Sequence, residues 1–272
     1  MTFQSTNFKK EFYNKGYFVV RNLLTSREVE YFANEITKIY NEELHNNIKV
    51  KMGISSYENL WKIISNSNLL NNLKEIFDKK FYYLYQAGVL QTDNSNKYLH
   101  HRDNPCRKFG LGPDWSNNER YKIARVGIYF QKYNETKFSL NVIPYSHRKK
   151  LTIRELLRFF HKRTRSFESI LGVRNMLPKI FGTSINTNPG DAIIFDPRLY
   201  HSPSPHKNRR QAIFLSYGED NDHSDNYIAY FTKLRSGLKE ELNNEQFLNF
   251  LKKNSLLKLP NDEIKFIEGS FL

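Results

Sequence analysis

Apolar residues change their spacing along the chain, and the changes divide it into stretches. A short polar helix is expected before Gly16, followed by a strand at Tyr17-Phe18-Val19-Val20. Thr25 and Glu28 precede Val29, Phe32, Ile36 and Ile39, which repeat at helical spacing. In such a capping box the hydroxyl and the carboxylate each accept from the other's backbone N–H, so a helix is predicted over about 26–44. Shorter helices are expected at about 56–64 and 68–78. From Phe81 the texture turns aromatic and β-branched. Strands are predicted at 81–92, 123–133, 139–143, 185–188, 192–195 and 211–217, with turn signals at Asp93-Asn94-Ser95-Asn96 and Pro189-Gly190. The stretch 150–182 reads as helical and interrupts the strands, and helices return at about 224–235 and 239–252. Strands separated mostly by turns predict a sandwich or jelly roll.

Composition narrows the class. The chain has 272 residues, 39% hydrophobic and 15% aromatic, enough for a core in one large domain or at most two. Its single cysteine, Cys106, excludes a disulfide framework and a cysteine-rich zinc site. The start, MTFQSTNFKKEF, lacks the apolar region of a secretory signal, and no run approaches the ~18 apolar residues of a membrane span. A soluble, cytoplasmic protein is therefore expected. The net charge of +14 calls for an anionic partner: phosphate, carboxylate, nucleic acid or membrane surface. A general Lys, Asn, Ile, Phe and Tyr bias tempers that inference.

Candidate chemistry centres on the histidines. His101-Arg102-Asp103 ends a predicted strand region, and at a period of two His101 and Asp103 share a face. Alone, the pattern is weak and reads more readily as a loop histidine beside a solvated aspartate; the other candidates in the chain raise its standing. His201, after the strand Ala192-Ile193-Ile194-Phe195, is a second candidate. Two imidazoles and one carboxylate on one side of a metal leave three positions open, the facial arrangement of non-haem Fe(II) oxygenases. Zn(II) and Mn(II) are compatible with the same donors. Arg210 opens the last predicted strand, where a guanidinium could clamp a carboxylate with two hydrogen bonds. Arg209 beside it is the alternative.

These residues fall in blocks that resemble the phytanoyl-CoA dioxygenase family of Fe(II)- and 2-oxoglutarate-dependent oxygenases. The run from Phe12 to Leu24 is similar to its opening strand, and Leu99-His100-His101-Arg102-Asp103-Asn104 to its first metal motif. Val142-Ile143-Pro144-Tyr145-Ser146-His147 resembles its Pro-Gly-Ser-His turn, with Tyr145 in place of the glycine. Pro189 to Phe195, through His201 to Arg210, resembles its C-terminal motif. The blocks occur in order over residues 12 to 217.

The resemblance implies an all-β core with flanking helices: a double-stranded β-helix (jelly roll, cupin-like) with N-terminal helices, a helical insert and C-terminal helices. It implies one domain over 1–272, with the jelly-roll core at about 81–218. By position, His101, Asp103 and His201 would bind iron, and Arg210 the distal carboxylate of 2-oxoglutarate. Gln86, Gln91 and Thr92 would help position that co-substrate, although Gln91 and Thr92 read equally as ordinary polar residues at a strand end. His100 is expected to be supporting or structural, His147 to cap a loop, and His206 to face substrate or solvent. Related halogenases replace the aspartate with a small residue, so Asp103 favours hydroxylation. The implied reaction consumes 2-oxoglutarate and O2 at Fe(II) and releases succinate and CO2.

The charge is concentrated in the segment 148–179, which carries ten basic residues and two acidic ones, Glu155 and Glu168. Apolar residues interleave, so a basic amphipathic helix is expected, within an insert at about 148–182. Arg154, Arg158 and His206 are candidates for contacting an anionic small-molecule, acyl or lipid-like substrate. Peripheral membrane contact through this insert is the alternative, as is a solvated basic face. A non-catalytic jelly-roll binding module and an oxygenase acting on nucleic acid are further classes. The chain shows no recognised nucleic-acid module, so no specific nucleic-acid partner is expected.

Overall fold

The structure, a computed structural model, describes residues 7–42, 50–92, 101–103, 122–136, 139–147, 182–203, 208–225, 227–228 and 236–260. The first helix, α1 (Phe8–Lys15), is capped by Asn7, whose side chain accepts from Lys10 N at 2.9 Å. It ends at Gly16, where φ is 90°. Strand β1 (Tyr17–Val20) follows, then α2 (Ser26–Glu42). The capping box forms: Glu28 N donates to Thr25 Oγ1 at 3.3 Å, and Thr25 N donates to the Glu28 carboxylate at 2.8 Å. Such a cap is worth about 1 kcal/mol. Strand β2 (Val50–Met52) is not expected from the sequence, because the apolar–polar–apolar alternation of Val-Lys-Met is too short to stand out. Helices α3 (Glu58–Trp61) and α4 (Ser67–Ile76) complete the N-terminal layer, α3 being shorter than expected.

The expected strand at 81–92 is broken into β3 (Phe81–Tyr83) and β4 (Gly88–Thr92). Tyr85 adopts φ 50°, and Leu84 N donates to Ser216 O at 2.9 Å, which turns the chain at 84–87. Strand β5 (Ile123–Tyr129) stops short of 133, where α5 (Tyr133–Thr136) begins. Strand β6 (Leu140–Val142) follows. Strand β7 (Thr183–Ser184) precedes the predicted 185–188, and Ile185 still bonds to Leu140 O. Then come β8 (Ala192–Phe195), β9 (His201–Pro203) and β10 (Arg210–Glu219). The helix expected at 239–252 is two, α6 (Ser236–Asn243) and α7 (Glu245–Lys253). Asn244 divides them by capping α7, accepting from Phe247 N at 3.0 Å. The helical insert at 150–182 lies outside the described residues, as does most of the 224–235 stretch.

Among the described residues, all strand pairs are antiparallel. The larger sheet has seven strands, in the order β1-β8-β5-β10-β4-β2 with β3 also on β10, and the smaller has the order β7-β6-β9. Alternation along the strands divides the core. On β8, Ala192 and Ile194 join the helices' cluster, whereas Ile193 and Phe195 join Leu140 and Val142 of the smaller sheet. On β5, Val126 and Ile128 face the helices and Tyr129 the smaller sheet; on β10, Ile213 and Leu215 face the helices and Ala212 the smaller sheet. The period of two thus gives the larger sheet one face packed on helices and one on the smaller sheet. The architecture is an antiparallel, sheet-rich core with flanking helices. Among the described residues, no helix is long and apolar enough to cross a membrane.

Candidate metal centre

The face between the sheets carries the candidate chemistry. Residues 101–103 run beside β9 and extend the smaller sheet by one bridge: His101 N donates to His201 O at 2.8 Å, and His201 N donates to His101 O at 2.9 Å. Asp103 N donates to Pro197 O at 2.9 Å. These bonds bring the three side chains together. Asp103 Oδ1 lies 3.3 Å from His101 Nε2 and 3.7 Å from His201 Nε2. One donor atom from each residue lies within 4.8 Å of the others. Bonds of about 2.1 Å set at right angles place donors about 3 Å apart, so the set fits a small divalent ion with little movement.

Electrostatics leave the donors in metal-binding form. Burial pushes the His201 imidazole down to about 4, against the pull of Asp103, so it is neutral near pH 7. His201 Nδ1 lies 2.8 Å from Leu199 O, which fixes the proton there and leaves Nε2 with its lone pair. Burial raises the Asp103 carboxyl, but His201, His101 and Arg125 outweigh it and hold the group well below the usual range. The Phe195 ring packs on His201 at 4.8 Å between centroids.

The turn at 143–147 braces this arrangement. Ser146 Oγ accepts from Tyr200 N at 2.8 Å, and Ser146 O accepts from Arg102 Nη2 at 2.6 Å. His147 bonds to Tyr13 O at 3.1 Å, so it ties the turn to α1. Tyr145 stands where the resembled motif has glycine, and its φ of 66° shows why glycine suits the position. Its side chain is exposed.

Arg210 is buried and lies on the same face as Ala212, two residues along β10. Burial pushes its guanidinium down to about 9, opposed by the neighbouring Tyr129, so it remains a cation at pH 7. Arg209 is exposed, which separates the two arginines. Thr92 is buried and pairs in register with Arg210. Gln91 lies on the opposite face. Gln211 Nε2 donates to Gln91 Oε1 at 2.8 Å and to Thr37 Oγ1 of α2 at 2.8 Å, so the structure places Gln91 in the sheet–helix layer and not with Arg210. Gln86 is on the site's side, its Oε1 accepting from Ser216 Oγ at 3.0 Å and from the Tyr227 hydroxyl. His100, Arg154, Arg158 and His206 lie outside the described residues.

Sequence reasoning passed over Arg125. Its Nε lies 3.1 Å from Asp103 Oδ2, and its Nη1 donates to Ser216 Oγ at 2.8 Å and to Gln86 O. The signal was available: Arg125 is the one charged residue in Ile-Ala-Arg-Val-Gly-Ile-Tyr, and a charge is buried in a central strand only with a partner. Tyr227 could not be found in this way, since a C-terminal tyrosine gives no hint that it reaches Gln86.

The fold and the donor set together define an antiparallel β core carrying a two-histidine, one-carboxylate cluster between its sheets. Solved structures share that fold. HygX from Streptomyces hygroscopicus, with nickel and 2-oxoglutarate bound, is 16% identical, with 81% of this chain and 88% of that chain covered and a TM-score of 0.58. EctD from S. alaskensis with bound Fe is 17% identical, with 80% and 79% covered and a TM-score of 0.60. SnoN, a non-heme α-ketoglutarate-dependent epimerase from nogalamycin biosynthesis, is 11% identical, with 78% and 79% covered and a TM-score of 0.55. No protein-family model matches the chain, and no curated protein matches it by sequence.

Proposed function

We propose that the chain is an Fe(II)- and 2-oxoglutarate-dependent dioxygenase on a double-stranded β-helix, hydroxylating a C–H of a small anionic, acyl or lipid-like substrate. The observation that carries this reading is the convergence of His101, Asp103 and His201 in one cluster, with a buried arginine on the same inter-sheet side. HygX and EctD, which share the fold, are described with 2-oxoglutarate, nickel or iron bound, and this supports the same assignment here. The anionic substrate class follows from the net charge of +14 and the basic segment 148–179.

His101 and His201 would hold the metal through neutral nitrogens, and Asp103 through a carboxylate. The metal supplies the site where O2 is reduced at the expense of 2-oxoglutarate and substrate: R–H + O2 + 2-oxoglutarate gives R–OH + succinate + CO2. Arg210 would clamp the distal carboxylate with charge-assisted bonds that are stronger in its dry surroundings. Burial keeps the Tyr129 phenol protonated beside it, a neutral donor to the same carboxylate. Tyr129, Ala212 and Phe214 would keep water from the space between metal and arginine.

The test is succinate formation from 2-oxoglutarate with Fe(II), against a panel of anionic metabolites, acyl thioesters and lipids. Stimulated turnover that disappears in His101→Ala and Asp103→Ala is expected. Full turnover in those variants would refute the site assignment.

A further inference from the structure

We propose that Arg125 is a positioning residue that commits Asp103 to hold the metal through Oδ1 alone, so that a third coordination position stays open. The inference rests on the metal-site reading above and adds to it a role for a residue outside the ligand set. The two oxygens of Asp103 have different company. Oδ1 faces His101 Nε2 at 3.3 Å and His201 Nε2 at 3.7 Å. Oδ2 lies 3.1 Å from Arg125 Nε. A free carboxylate beside a dication readily turns to chelate it with both oxygens. Here the turn would break the contact with a buried guanidinium and leave that cation without its counter-charge, which is strongly unfavourable.

Arg125 cannot follow the carboxylate. Its side chain is 9% exposed and is tied at its far end. Nη1 donates to Ser216 Oγ at 2.8 Å on β10 and to Gln86 O in the break between β3 and β4. Gln86 is held in turn, with Oε1 accepting from Ser216 Oγ at 3.0 Å and from the Tyr227 hydroxyl. The guanidinium carbon lies 5.8 Å from the centre of the Phe214 ring. A cation held only to neutralise Asp103 would need none of these bonds, and a lysine would serve. The Nη1 bonds to Ser216 Oγ and Gln86 O fix where the guanidinium sits, with Nε 3.1 Å from Asp103 Oδ2, so position as well as charge is set. The consequence is arithmetic: an octahedral ion with one oxygen from Asp103 keeps three open positions, two for 2-oxoglutarate and one for O2, and a chelating Asp103 leaves nothing for O2.

Water on the metal reads this directly. Mn(II) is loaded into the full chain, and the relaxation of water protons is measured with and without 2-oxoglutarate. The wild type is expected to carry about three exchangeable waters alone and about one with the co-substrate. Arg125→Gln and Arg125→Lys are each expected to lose about one water in both states, which brings the ternary complex close to none. Lysine should fail to rescue, because it keeps the charge and loses the anchored planar guanidinium. Unchanged water counts in both variants, or full rescue by lysine, overturn the proposal. If both variants fail to fold, the structure of the Mn(II)-loaded wild type decides. Asp103 bound through one oxygen with Oδ2 on Arg125 supports the inference, and chelation by both oxygens overturns it. A wild type that binds no Mn(II) overturns the metal-site reading as well, a result distinct from binding with unaltered water counts.

Discussion

Glu241 on α6 has no solvent exposure, and its carboxyl meets residue 54 and β3. Oε1 accepts from Ile54 N at 2.6 Å and from the Tyr83 hydroxyl at 3.2 Å. Burial nevertheless dominates and raises the group to about 7, from an ordinary 4.5. In the folded state the proton is therefore kept across pH 5–7, where the unfolded chain has lost it. Stability falls as pH rises through that window, because the native state binds more protons than the unfolded state. At about 1.4 kcal/mol per unit, ionising Glu241 in place costs roughly 3 kcal/mol by pH 8. Glu241→Gln keeps an acceptor for Ile54 N and cannot ionise. Roughly 2–3 kcal/mol of the ionisation cost falls between pH 5 and pH 8, so relative to wild type the variant's thermal midpoint should climb over that range by about 4–12 °C, at about 2–4 °C per kcal/mol. The lost or altered bond to Tyr83 shifts the baseline equally at each pH, so the change with pH is the informative quantity. Thermal melts of both proteins at pH 5, 6, 7 and 8 provide it. A difference that stays flat across the series would refute the reasoning.

The metal centre and the scaffold give further tests. Arg210→Ala should weaken 2-oxoglutarate binding to the Mn(II)-loaded protein by about 10- to 100-fold and leave Mn(II) affinity intact. Gln91→Ala should change that affinity less than about twofold, because Gln91 faces α2, and should cost about 1 kcal/mol in stability; calorimetry and melts separate the two. Gly16→Ala would place a methyl group 2.5 Å from His147 Nδ1 and 2.7 Å from Leu199 Cδ1, at a φ of +90°. It should cost about 1–3 kcal/mol and weaken Mn(II) binding, since Leu199 O orients His201.

Local patterns were legible where local chemistry decides the structure. The Thr25–Glu28 capping box and the Tyr17–Val20 strand form as their sequences imply, β8 is found at its expected limits, and β5 and β10 within four residues of theirs. The His-x-Asp spacing points to one shared side for His101 and Asp103, and the structure holds them there by a single bridge to His201 and the Asp103 N bond to Pro197 O. What could not be read depends on partners distant in the chain. The face occupied by Gln91 is set by register with Gln211, and a shift of one residue would have turned Gln91 inward and Thr92 outward. Arg125 stands out as the lone charge of an apolar strand, but its partners could not be read, since they come from 103, 86 and 216 in three separate parts of the chain. The break at 84–87 follows from a left-handed tyrosine, which composition does not announce.

The central claim is that the triad and Arg210 form one site for Fe(II) and 2-oxoglutarate. Anaerobic equilibrium dialysis of 2-oxoglutarate against the full chain, with and without Fe(II), tests it most directly. Stoichiometric binding of 2-oxoglutarate that requires the metal, and is lost in His201→Ala, is the expected result. Equal binding without iron, or none with it, would contradict the account.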